Sequence, residues 1–120
     1  MFQNDSPWYK LTKAVLGGKD MRLEEITNDM TIQALISKYG LETANNILEN
    51  TTHGLIIEIT HLRDKLSDIK MMMSIESNSD VLMHLKYSRE EAEISIRKHL
   101  KKLDLVHGLI ADSAFCKIRS

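Results

Sequence analysis

From Leu48 to Met73 an apolar or tolerated residue recurs at alternating steps of four and three: Leu48, Thr52, Leu55, Ile59, Leu62, Leu66, Ile69 and Met73. This is a heptad seam, with Thr52, Ile59, Leu66 and Met73 at a positions and Leu48, Leu55, Leu62 and Ile69 at d. A second seam keeps the same alternation through Leu82, Leu85, Arg89, Ala92, Ile96, His99, Leu103, Val106 and Ile110. Such a period suits helices packed side by side. It predicts two long helices, over about 43–76 and 79–113. The polar stretch ESNSD at 76–80 separates them, with Ser79 as the expected cap of the second. Two helices of matching length on so short a link form an antiparallel hairpin.

Little in the chain opposes long helices. One Pro, at position 7, and five Gly are all the strong breakers present. The stretch LIIEIT at 55–60 has the β-branched content of a strand, but the heptad frame continues on both sides of it. SREE at 88–91 has the form of a capping box, a place where the second helix could restart.

Shorter helices are expected before the hairpin. SPWYKLTKAVLGG opens with a Ser6 cap and Pro7 and closes on Gly17 and Gly18. MRLEEIT reads as a short helix capped by Asp20. DMTIQALISKYG reads as a third, ending at Gly40, with Thr43 capping the long helix that follows. The expected architecture is therefore all-α and a single domain: three short helices in an N-terminal segment, 1–41, then the hairpin, 42–114, and a C-terminal tail, 115–120. Ile56, Ile57, Ile75, Ile94, Leu100, Leu105 and Leu109 widen the apolar stripe beyond what one partner helix covers. A homodimeric helical bundle is the expected assembly, with Leu55, Ile59, Leu62, Leu66, Ile69, Ile96, His99, Leu103 and Val106 as its core seam.

Charge and cysteine content narrow the function classes. A net charge of −1 gives no global field toward nucleic acid or membrane. Cys116 is the single cysteine and cannot close an intrachain disulfide, which favours a reducing compartment. MFQNDSPWYK carries an acid and a Pro where a signal peptide needs an apolar run, and no run reaches the ~18 residues of a membrane span. A cytoplasmic protein without membrane contact is expected.

Residues 31–52, TIQALISKYGLETANNILENTT, invite comparison with a helix-turn-helix. With Gly40 as the turn, Leu35, Tyr39 and Leu41 resemble that family's pattern. Ile36, however, occupies its small-residue site, and Asn46 and Glu49 occupy the apolar anchor sites. Asn45 and Asn46 could read adenine edges, but Glu42 and Glu49 on the same helix would repel phosphates. Packing of two helices is the favoured reading, and nucleic acid is kept as the alternative partner. THLRDKLSDI, from Thr60, loosely resembles the phosphoacceptor helix of histidine kinases. It departs from that family where Leu62 follows His61 directly and where Lys65 stands near the usual Pro.

No metal or cofactor site is expected. His53 and His61 are eight residues apart, as are His99 and His107, whereas ligand pairs on a helix favour three or four. No phosphate loop or nucleophile–base order is present, so the chain is not expected to be an enzyme. RKHLKK at 97–102 reads first as a solvated face, its bases following Glu90, Glu91 and Glu93 along the helix dipole. The most suggestive apolar feature is IKMMMSI. Met73 has a seam position, while Met71 and Met72 do not, and folding about residue 77 or 78 is expected to bring Met83 beside Met72. Methionine adapts to irregular surfaces, so Met71, Met72 and Met83 are the candidate protein-binding residues. The expected function is a non-catalytic protein-binding module, a regulator, adaptor or chaperone-like protein. The alternative is a dimeric transcriptional regulator touching DNA through Asn45 and Asn46.

Overall fold

The computed structural model describes residues 19–119, with side-chain surroundings given for 19–114. The helix expected over SPWYKLTKAVLGG lies outside these residues. Within them the chain is helical, with no strand: α1 (Ile32–Tyr39), α2 (Leu41–Ile75) and α3 (Ser79–Arg119). LIIEIT lies inside α2, and SREE lies inside an uninterrupted α3. Two of the expected boundaries are corrected here. MRLEEIT forms only a 3-10 turn at Leu23–Glu25, preceded by Arg22 rather than by an Asp20 cap. Residues 115–119 continue α3 instead of forming a tail.

Local chemistry accounts for the helix ends between Thr31 and Asn78. Thr31 Oγ1 accepts from Ala34 N at 3.1 Å and so caps α1. Gly40 ends α1 with φ 86°, in the region glycine enters without a Cβ clash. Its N–H donates to Ile36 O at 2.7 Å, and its carbonyl accepts from Ala44 N at 2.9 Å. One residue therefore closes α1 and opens α2, which displaces Thr43 from the expected capping role. At the other end of α2, Glu76 N donates to Met72 O at 3.0 Å. Asn78 Oδ1 then accepts from Asp80 N at 2.9 Å and Val81 N at 3.2 Å. The cap of α3 is Asn78, one residue before the expected Ser79, because an amide oxygen there reaches two of the free N–H groups of the first turn.

Every residue of the two seams, Leu48 to Met73 and Leu82 to Ile110, is buried or half-buried. Burial is deepest at the base of the hairpin, the end away from the link. There Ile26, Ile32 and Leu35 pack onto Ala44, Leu48 and Leu55 of α2 and onto Val106 and Leu109 of α3. Ile26, Leu48 and Val106 are fully enclosed. Leu62 and Leu66, midway along α2, are only half-buried, since two helices alone cannot surround them.

Candidate functional site

Heptad register sorts the remaining faces of the hairpin. Each helix has an e row and a g row beside its seam, and in an antiparallel pair like rows share one side. The g rows are identified by what lies on them. Ala44 and Leu109 belong to the core under α1. Thr51 Oγ1 accepts from Met21 N at 2.8 Å and donates to Ile47 O at 2.7 Å. Lys102 Nζ donates to Ile26 O. Residues 19–40 therefore cover the g side at the base, helped by the hydrogen bond from Asn50 Nδ2 to Lys19 O at 3.2 Å. Close packing leaves little room there: a Cβ on Gly54 would stand 3.3 Å from Asp20 Oδ2.

The linked end carries no such cover. Met71 is 65% exposed, Met72 46% and Met83 56%, and Ile75, Val81 and Tyr87 are exposed beside them. Six of the nine exposed large hydrophobics among the described residues thus fall within residues 71–87, which makes the tip an apolar cap and not a scatter of single residues. Met72 and Val81 are both g residues and lie on the side that carries residues 19–40 at the base, whereas Met83 falls in the b row beyond the e side. In the heptad frame the exposed apolar residues thus fall on several rows, and the apolar surface wraps around the tip. Sequence reasoning placed Ile75 on the widened stripe but passed over Val81 and Tyr87. The signal for both was their position outside the seam, the same criterion that singled out Met71 and Met72.

The other candidates separate cleanly. Asn45 Oδ1 accepts from Ser113 Oγ, so this amide ties the base of α2 to α3. Asn45 and Asn46 line an open groove with Leu41, Glu42, Glu49, Ile110 and Ala114. Two carboxylates give that groove the wrong sign for phosphate. α1 and α2 also meet through Gly40 alone, where a helix-turn-helix uses a turn of three or four residues. In the basic run, Arg97, Lys98 and Lys101 are exposed, while Lys102 is spent on the Ile26 carbonyl. His99 keeps its seam position half-buried, its Nδ1 2.7 Å from Ser95 O. No helix of the described residues is long and apolar enough to cross a membrane.

Fold and site together define an all-α helical hairpin with a packed base and a bare apolar tip. No protein-family model, curated protein or solved structure matches the chain.

Proposed function

We propose that this chain is a non-catalytic, cytoplasmic protein-binding module whose hairpin tip grips an apolar surface on another protein. The observation that carries the reading is the cap formed by Met71, Met72, Ile75, Val81, Met83 and Tyr87, exposed at the end of the molecule farthest from its core. Leaving such a surface in water is unfavourable, by ~25 cal/mol for each Å² of apolar area, and covering it recovers that energy. Unbranched methionine side chains mould to a partner at small cost, which suits a regulator, adaptor or chaperone-like role. Met71 and Met72 are exposed, so changing them tests binding with little effect on folding.

The test uses immobilised chain and an extract of its host cell. Met71→Gln with Met72→Gln should abolish capture of proteins retained by the parent, at unchanged helicity and melting temperature. Unchanged capture would refute a binding tip. A sharp fall in melting temperature would make the two methionines structural instead.

A further inference from the structure

The g side of the hairpin is covered at its base, but the e side has no cover from residues 19–40. Its α2 row repeats every seventh residue as Glu42, Glu49, Ile56, Arg63 and Lys70. All five are exposed, and none of the four charged members forms an ion pair with another described residue. The order is antisymmetric about its centre: two acids, one apolar residue, two bases. Seven residues before Ile56 stands Glu49 and seven after stands Arg63; fourteen before stands Glu42 and fourteen after stands Lys70.

Alongside it, the e row of α3 has Leu100 at its centre. Leu100 is 36% exposed and Ile56 44%, so both present apolar surface on the one side. The Asn45–Ser113 hydrogen bond sets the register of the two helices and places Ile56 and Leu100 at nearly the same height. Around Leu100 the inner pair repeats this order, with Glu93 seven residues before and His107 seven after, while the outer members, Lys86 and Ala114, do not.

We infer that the e side is a self-association surface on which a second copy of this chain packs antiparallel, α2 on α2 and α3 on α3. The two-fold axis crosses the helices at Ile56 and Leu100. Ile56 then meets Ile56 of the second copy, Glu49 faces Arg63 of that copy, and Glu42 faces its Lys70. The two ion pairs each occur twice by symmetry, and Glu93 is brought to His107 of the second copy. The parallel arrangement is electrostatically worse. It sets α2 against α3 of the second copy, and there Lys70 would face Lys86. Rows of e charges are the established device for setting partner and orientation in helical bundles. The surface is separate from the tip, so loss of either function leaves the other measurable.

The experiment is sedimentation equilibrium of the full chain, with circular dichroism to check each variant. The parent should be a dimer that loosens as salt rises. Arg63→Glu should weaken dimerisation by about tenfold or more, since two attractive contacts become repulsive. Adding Glu49→Arg in the same chain should restore it, because the reversed charges face each other again. The parallel arrangement forbids that rescue, because it sets the carboxylate introduced by Arg63→Glu against Glu93. As an orientation check, Ile56→Cys in a Cys116→Ser background should oxidise to a covalent dimer, as a residue on the two-fold axis meets its own copy. A monomeric parent, failure of the double variant to recover, or absence of the Ile56→Cys crosslink would each overturn the inference.

Discussion

Tyr39 has the Lys19 and Lys38 ammonium groups each 5.2 Å from its ring centre. A hydrogen bond from Lys38 and the nearby positive charges hold its phenol below the usual tyrosine range, against a smaller opposing effect of desolvation. Because the acid is stabilised in its charged form, any gain in stability exists only at high pH and is lost as pH falls through the folded value. Tyr39 therefore contributes nothing of this kind at neutral pH. Difference titration of the parent against Tyr39→Phe, followed by tyrosinate absorbance, should show early ionisation. Lys38→Gln should move it back toward ~10. A second residue-scale test concerns Arg89, which holds an a position on the α3 seam. Its buried Nε has no hydrogen-bond partner among the described residues. Arg89→Leu keeps the apolar stem and removes the unsatisfied group, so stability should rise by about 1 kcal/mol. A lower melting temperature would show that the guanidinium tip matters more than the stranded Nε.

At the scale of elements, Gly40 joins α1 to α2 with no intervening turn. A Cβ there would meet nothing within 4 Å, so Gly40→Ala should cost about 1–3 kcal/mol through backbone conformation alone. Urea melts with an unchanged slope would bear this out. Seam positions differ more than their shared pattern suggests. Leu48→Ala should cost about 2–5 kcal/mol, as a fully buried leucine does, and Leu62→Ala clearly less. Equal costs would mean the middle of the hairpin is as tightly packed as the base. The two long helices, their link and the seam residues were legible in the sequence, because a heptad period states which residues share a helix face. The depth of burial was not. It depends on Ile26, Ile32 and Leu35 folding back onto one side, a contact between segments far apart in the chain. Capping details were missed for a related reason. Thr43, Ser79 and Asn78 are all acceptable caps by residue type; the Gly40 junction displaces Thr43, and the geometry of the link chooses Asn78 over Ser79.

Over the whole molecule, packing thins from a base of several segments to a tip of two helices. Hydrogen exchange should follow that gradient, with the strongest protection near residues 44–55 and 106–113 and the weakest near 71–87. Uniform protection would mean the tip is covered in solution, by a partner or a second copy. The tip methionines were legible in the sequence as residues outside a seam, but the extension of the apolar surface to Val81 and Tyr87 around the end of the hairpin was not. That required knowing which side each row occupies, which residues 19–40 reveal only by lying on one of them. The three-residue link, Glu76 to Asn78, has a further consequence, in time and not in stability. Pairing next to the link closes a loop of a few residues, while the Lys102–Ile26 bond joins positions 76 apart. Short loops close at the smallest entropic cost, so the helices should begin to zip at the tip, and residues 19–40 should dock last. The end that assembles first is then the end held least firmly. It can come apart and re-form many times while the base stays shut.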